Sequence, residues 1–168
     1  MIVVGVRARV GNLDAKRRIA IARGSMFVGK AQHRDTYFDA RAGYLKVRES
    51  DMDQDRLLFY RRDRRGDLAT CESWSTPIDP VDSMRALLEA ALDVRGSVEK
   101  TRETFERQNM IIELDRVRPN RMFLGLKYQL GPGEIPDDAT QELRDFMRDF
   151  EVTKDDLVTE SYCEMRRA

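Results

Sequence analysis

Residues 35–48 read DTYFDARAGYLKVR, and this stretch indicates how the chain folds. Two strand-like runs flank residues 39–43, whose acidic residue, alanines and glycine are typical of a turn. In the second run Lys46 and Arg48 alternate with apolar residues, so the two cations share one face of the strand. The stretch therefore predicts two consecutive strands joined by a short turn, with a cationic face on the second strand.

The same alternation recurs along most of the chain. It predicts strands at 2–10, 26–38, 44–47, 57–62, 69–74, 97–105, 111–117 and 122–130. Helical periodicity after capping residues predicts helices at 13–22, 81–92, 139–150 and 154 to about 165. About eight strands joined mostly by tight turns predict a single α+β domain over residues 1–168, a closed antiparallel β-barrel with flanking helices. An open two-layer sandwich is the alternative.

The composition argues against several classes of protein. The 30 Lys and Arg residues balance the 30 Asp and Glu residues, so no overall field would attract nucleic acid or an anionic membrane. No apolar run is long enough to span a bilayer, and residues 1–10 lack the apolar core of a signal peptide. Cys71 and Cys163 are far apart and are expected to be free thiols. We therefore expect a cytoplasmic protein, a monomer or homodimer, that binds neither nucleic acid nor membrane.

Basic residues recur at every second position on several predicted strands. The set consists of Arg7, Arg9, Lys46, Arg48, Arg62, Lys100 and Arg102. Two arrangements explain such faces: a solvated outer surface of a sheet, or a barrel interior that binds a multiply charged anion. An interior lined in this way needs a ligand or counter-ion, because burying unpaired guanidinium groups is costly. Arginine suits phosphate because its planar fork contacts two oxygens at once.

Several of these segments together resemble the CYTH superfamily, and within it the class IV adenylyl cyclases more than the thiamine triphosphatases. Residues 35–39 and 43–48 are similar to the family's D-T-Y-F-D and G-x-L-K-I-R, and residues 57–62 to L-I-x-Y-x-R. Residues 98–102 match V-x-K-x-R, and residues 112–117 resemble I-H-L-D-x-V, with Glu113 in place of histidine. Ser161-Tyr162 resembles the C-terminal S-Y segment.

The resemblance spans nearly the whole chain in the family's order. It implies the triphosphate tunnel fold, a closed eight-stranded antiparallel barrel with helices packed outside. It also implies ligands such as nucleoside triphosphates, inorganic polyphosphates or other phosphorylated small molecules. The positions that the family uses to hold phosphate correspond here to Arg7, Lys46, Arg48, Arg62, Lys100 and Arg102.

Two segments depart from the family pattern. The family's E-x-E-x-K is Val3-Val-Gly-Val-Arg7 here, and its F-x-E-x-E is Phe123-Leu-Gly-Leu-Lys127. The resemblance assigns divalent-metal binding to those four glutamates, so their replacement predicts that the inherited metal site is lost. No metal is expected. Mg²⁺ could bind only through Glu113 and Asp115 together with substrate phosphates.

Three functions remain open at this point. The first is a protein that binds a phosphorylated or polyanionic small molecule and lacks the family's metal-dependent activity, because phosphoryl transfer depends on such metals. The second is an enzyme repurposed for a metal-independent reaction on an anionic metabolite, with Glu113 or Asp115 as acid or base, Lys127 or Lys100 as electrophile, and Tyr37 or Tyr60 as proton donor. The third is a divergent class IV adenylyl cyclase or a triphosphatase.

Overall fold

Eight antiparallel strands pair edge to edge until the sheet closes on itself. A computed structural model describes residues 1–166. The strands are β1 (Ile2–Arg9), β2 (Met26–Phe38), β3 (Tyr44–Ser50), β4 (Arg56–Arg65), β5 (Leu68–Pro77), β6 (Val94–Arg107), β7 (Met110–Val117) and β8 (Arg121–Gln129). Their order around the barrel is β1-β5-β4-β3-β2-β6-β7-β8, and β8 pairs with β1 to complete it. The barrel prediction is confirmed, and the open sandwich is excluded.

Three α-helices lie outside the barrel within residues 1–166. They are α1 (Leu13–Ala22), α2 (Val81–Ala91) and α3 (Thr140–Asp149). Asn12 begins α1, since its side chain accepts a hydrogen bond from the N–H of Ala15 at 3.0 Å. None of these helices is long and apolar enough to cross a membrane.

The main hydrophobic core lies between the barrel wall and the helices, not inside the barrel. Outward-facing residues of β1, β7 and β8, such as Val4, Leu114 and Leu126, share one buried cluster with residues of the outer helices α1 and α3 (Leu13, Ala20, Leu143 and Phe146). The alternation of the strands therefore directs apolar side chains to the helix layer and leaves their polar neighbours facing the lumen. This arrangement makes room for a charged interior.

The predicted helix at 154–165 is wrong. Short 3₁₀ turns occupy Lys154–Asp156 and Glu164–Arg166, and the chain between them is irregular, with a single bridge at Leu157 and a turn at 162–163. Leu157 forms a β-bridge with Ala8, and the N–H of Val158 donates to the carbonyl oxygen of Arg7 at 2.8 Å. These peptide groups pair with β1, so they are not available for helical hydrogen bonds. Residues 157–163 are called the C-terminal segment below.

Candidate anion-binding site in the barrel lumen

The lumen contains a cavity of about 270 Å³. All eight strands and the C-terminal segment contribute to its wall. The structure brings six of the seven predicted phosphate-binding cations to this wall, and Lys127 joins them. The cations that line the cavity and carry the argument below are Arg7, Lys46, Arg48, Arg62, Lys100, Arg102 and Lys127. Side chains from separate strands therefore converge on one space, which suits a small ligand.

Arg9 does not reach the cavity, although it shares a face of β1 with Arg7. Its side chain is exposed, and a guanidinium nitrogen lies 3.9 Å from the sulfur of Met165. Its strand neighbour Phe123 packs with Tyr162 and Met165 in a second apolar cluster. This cluster fills the region next to Arg9, so the expectation of a lumen position for Arg9 is corrected.

Three of the cations surround one carboxylate, Asp35, which is completely buried. Lys46 Nζ and Lys100 Nζ donate to Asp35 Oδ2 at 2.9 Å and 2.7 Å. Arg48 makes a two-pronged contact with both oxygens at 2.7 Å and 2.8 Å. Sequence reasoning missed Asp35 as a site residue. Strand alternation was the available signal, because it places His33, Asp35 and Tyr37 on one face of β2.

The Asp35 cluster shifts the pKa values of its members. Burial opposes ionisation of Asp35, but the charges of Lys100, Lys46 and Arg48 outweigh it and hold the Asp35 pKa well below its usual value. Burial and the charge of Arg48 lower the pKa of Lys46 well below its ordinary value. Burial, only partly opposed by Asp35, lowers the pKa of Lys100 to about 8. The single carboxylate Asp35 therefore offsets only part of the cost of burying the two lysines.

A second cluster centres on Arg102. Its guanidinium contacts both oxygens of Asp115 at 2.7 Å and 2.6 Å and Glu113 Oε1 at 2.7 Å. Lys127 Nζ donates to the same Glu113 oxygen at 2.6 Å, and the hydroxyl of Tyr162 donates to Asp115 at 2.6 Å. Each carboxylate therefore already has two protein donors.

The charges of this second cluster keep its two acids ionised. Burial opposes ionisation of Glu113, but Arg102 and Lys127 outweigh it and lower its pKa to about 2. Burial is likewise outweighed at Asp115 by Arg102, and the Asp115 pKa is lowered. A general acid or base works best with a pKa near the operating pH. The geometry therefore favours Glu113 and Asp115 as counter-ions over the acid–base role, which stays a prediction.

Arg7 and Arg62 differ from the other lumen cations, because neither forms an ion pair with a carboxylate of residues 1–166. Arg7 donates to the carbonyl oxygen of Glu160 at 3.3 Å and lies 4.2 Å from the centre of the Tyr162 ring. Arg62 donates to the carbonyl oxygen of Thr159 at 3.2 Å. Both side chains are half-buried and line the cavity.

The lumen carries an excess of positive charge. The seven cations named above share three carboxylates, Asp35, Glu113 and Asp115, which leaves four positive charges without a carboxylate of their own. Arg64 and Asp67 also line the cavity, and their charges offset one another. Concentrating cations in a partly desolvated space is unfavourable unless an anion accompanies them.

His33 of β2 also lies close to the charged clusters, with Arg48, Lys100 and Arg102 as its cationic neighbours. It is buried, and its Nδ1 has no hydrogen-bond partner among residues 1–166. Burial together with the charges of Arg48 and Lys100 lowers its pKa to about 3. The imidazole is therefore neutral at physiological pH.

The lumen residues do not fit the divalent metal that the resemblance implies. Val3, Gly5, Gly125 and Lys127 supply no side-chain oxygen at the four positions in question. Both remaining acids are engaged, Glu113 by two cations and Asp115 by a guanidinium and a phenol. Within residues 1–166 no group of three or more His, Cys, Asp or Glu side chains is arranged to hold a metal ion.

Comparisons with known proteins agree with this fold. The family model of the CYTH domain matches residues 1–162, and no curated protein sequence matches the chain. The PH1012 protein of Pyrococcus horikoshii has a TM-score of 0.87 and 20% identity, with 98% of each chain covered. A candidate adenylate cyclase of Vibrio parahaemolyticus has a TM-score of 0.81 and 20% identity, covering 100% of this chain and 99% of that one.

A more distant structure is that of a Hippeastrum protein, a candidate adenylyl cyclase described as revealing a dominant triphosphatase activity. Its TM-score is 0.69 at 14% identity, covering 99% of this chain and 95% of the other. At such identities the similarity is one of fold. The closed eight-stranded barrel with outer helices is the triphosphate tunnel fold, related to that of adenylyl cyclases and triphosphatases. Because the family model covers residues 1–162, the chain belongs to the CYTH domain family.

Proposed function

We propose that this protein binds a phosphorylated or otherwise polyanionic small molecule in the barrel lumen and does so without a divalent metal. The observation that carries the proposal is the excess of lumen cations, above all Arg7 and Arg62, which line the cavity without a carboxylate partner. An anion at this place relieves the repulsion among the cations. It also uses guanidinium donors that bind only a backbone carbonyl in its absence.

The donor groups and the distribution of positive charge in the lumen suit a phosphorylated ligand. A guanidinium has five N–H donors, and charge-assisted bonds from such donors to phosphate oxygens are strong. The excess of four positive charges is spread over several strands, so a ligand with several linked anionic groups contacts more of it than a single anion does. The cavity of about 270 Å³ favours a small molecule over a macromolecule.

The cavity wall also has an uncharged side, on which an organic group could lie. Leu58 and Tyr60 of β4 and Ala69 and Cys71 of β5 contribute to it. Burial raises the pKa of Tyr60 to about 12, although the charges of Arg62 and Arg7 oppose the rise, so the phenol keeps its proton at neutral pH. A nucleotide-like or other phosphorylated organic molecule would contact both the cationic and the uncharged wall of the cavity. Inorganic polyphosphate would contact the cationic wall alone.

Metal-independent turnover of an anionic metabolite in the same cavity is the second candidate. It is favoured by the lowered pKa of Lys100, about 8, because that side chain can exchange a proton close to physiological pH. Lys127, whose pKa is also lowered by burial against the opposing charge of Glu113, is the electrophile in this alternative. A cyclase or triphosphatase reaction, as named for the structural relatives, is tested by the same assays.

Titration calorimetry at low salt tests the binding proposal. Tripolyphosphate, ATP and cyclic AMP are titrated into the native protein and into the double variant Arg7→Gln/Arg62→Gln. Tripolyphosphate is expected to bind the native protein, more weakly as salt increases. Each lost charge-assisted hydrogen bond costs about 1.5–3 kcal/mol, so the double variant should bind at least about tenfold more weakly.

The matched control is Arg18→Gln, which removes an exposed arginine of α1 that does not line the cavity. Its affinity should equal that of the native protein. Failure of every anion to bind at low salt contradicts the proposal. Incubation of each bound ligand without metal, and again with Mg²⁺ or Mn²⁺, followed by product analysis, separates binding alone from turnover and tests the cyclase and triphosphatase reactions.

A further inference from the structure

Gly5 and Gly125, at two positions where the family resemblance implies glutamate, each lie against a charged residue of the neighbouring strand. Gly5 of β1 lies opposite Lys127 of β8, and Gly125 of β8 lies opposite Glu113 of β7. A Cβ atom at Gly5 would lie 2.4 Å from the carbonyl oxygen of Leu126 and 3.1 Å from the Cα of Lys127. A Cβ at Gly125 would lie 3.2 Å from Glu113 Oε2. A larger residue at Gly5 would collide with the backbone of β8, and one at Gly125 would crowd the Glu113 side chain.

The side chains of Lys127 and Glu113 form an ion pair. Lys127 Nζ lies 2.6 Å from Glu113 Oε1, and Arg102 donates to the same oxygen at 2.7 Å. A divalent ion that approached Glu113 would meet an ammonium and a guanidinium already bound to its oxygen, and like charges at such distances repel strongly. The pair therefore does more than remove metal ligands, because an ammonium group now binds the Glu113 oxygen that a metal ion would need.

From this geometry we infer that the lumen recognises the free, metal-uncomplexed form of its polyanion, with the Lys127 ammonium in the role of a built-in cation. The inference rests on the proposed function. In solution Mg²⁺ binds to oligophosphates and cancels part of their charge. A complexed ligand therefore brings less negative charge to the cationic lumen and adds a dication next to Lys127 and Arg102. Mg²⁺ then competes with the protein for the ligand instead of assisting binding.

The experiment compares tripolyphosphate binding in two buffers of equal ionic strength. One buffer contains EDTA, and the other contains Mg²⁺ in large excess over the ligand, with NaCl adjusted so that screening is the same. For the native protein we expect an apparent dissociation constant at least about tenfold higher in Mg²⁺. This comparison needs no substitution, so it does not depend on the folding of a variant.

Two variants test the part played by Lys127. Lys127→Met removes the ammonium and leaves Arg102 as the one cation within residues 1–166 that contacts both Glu113 and Asp115, and it is expected to weaken binding of the free ligand by about tenfold. The same substitution at Lys30, whose exposed side chain pairs with Glu103 at 3.5 Å, should change nothing. Lys127→Arg, which keeps the charge, should retain most of the affinity in EDTA.

Three outcomes of these experiments contradict different claims. Tighter binding in Mg²⁺ than in EDTA overturns the inference and leaves the proposed binding function intact. If Lys127→Met binds the free ligand with the affinity of the native protein, Lys127 takes no part in recognising it, and the inference about Lys127 is wrong. Absence of tripolyphosphate binding in both buffers contradicts the proposed function itself.

Discussion

Lys46 and Lys100, which come from different strands, donate to the same oxygen of the buried Asp35, at 2.9 Å and 2.7 Å. Arg48 contacts that carboxylate as well. Three cations therefore share one carboxylate. We expect the ionisation of these four groups to affect both the stability of the barrel and the positive charge that the lumen presents to a ligand. The first two predictions follow from this relationship.

Asp35→Asn should destabilise the protein strongly. The substitution removes the only carboxylate that contacts Lys46, Arg48 and Lys100 among residues 1–166, and loss of one partner from a buried ion pair costs about 3–5 kcal/mol. Denaturant unfolding measures the change. Asp63→Asn, which disturbs an exposed pair with Arg65, should cost less than about 1 kcal/mol. Equal effects of the two substitutions would contradict the structural role of Asp35.

Binding of a polyanion should be accompanied by proton uptake near pH 8. Lys100 has a pKa of about 8 in the absence of ligand, so it is partly deprotonated at that pH, and a bound anion favours its charged form. Affinity should therefore fall as the pH rises through about 8. Calorimetry of tripolyphosphate binding at pH 8 in two buffers with different ionisation enthalpies measures the uptake. Identical observed enthalpies in both buffers would argue against it.

Stability should fall steeply in acid because the lumen carboxylates have lowered pKa values. Glu113 has a pKa of about 2, against about 4.3 for an unperturbed glutamate, and the pKa values of Asp35 and Asp115 are also lowered. The unfolded chain then binds more protons than the folded one, so stability is fully present above about pH 5 and is lost as the pH falls toward about 2.

Thermal melts recorded from pH 7 to pH 2 test this expectation. The native Tm should decline progressively below about pH 5. Glu113→Gln should show a shallower decline, because one of the three titrating acids is gone. A Tm that does not change between pH 5 and pH 3 would contradict the assignment of these acids as ionised counter-ions.

Gly5→Ala should destabilise the barrel even though it adds a single methyl group. The new Cβ would lie 2.4 Å from a backbone oxygen of β8, so the strands must separate, and overpacking of this kind costs about 1–3 kcal/mol. Gly29→Ala in β2 is the matched control, because no atom lies within 4 Å of its Cβ position. Comparable Tm values for the two variants would show that the close contact between β1 and β8 does not require glycine at position 5.

The barrel was predictable because period-two alternation identifies strands and separates their faces. It put Lys46 with Arg48, and Lys100 with Arg102, on single strand faces, and the family resemblance implied that these faces line the lumen, where the structure has them. Alternation does not give the position of a residue along the barrel axis. Arg9 was for that reason assigned to the lumen, although the apolar cluster around Phe123 and Met165 fills the region beside it.

Two other features could not be obtained from sequence patterns. The partners of Asp35 come from strands separated from it by up to 65 residues in sequence, and only the closed register brings Lys100 next to it. Thr153 is a helix-capping residue, but Leu157 and Val158 of the C-terminal segment that follows it pair with β1, and the Tyr162 hydroxyl binds Asp115. Tertiary contacts overrode the local preference there.

A crystal structure of the protein grown with tripolyphosphate in EDTA is the most direct test of a metal-free anion site inside the barrel. The expected result is density for the polyanion in the lumen, within hydrogen-bond distance of Arg7 and Arg62 and with Lys127 turned toward a phosphate oxygen. An unoccupied lumen at a ligand concentration that saturates binding in solution, or polyanion bound only to the outer surface, would contradict it.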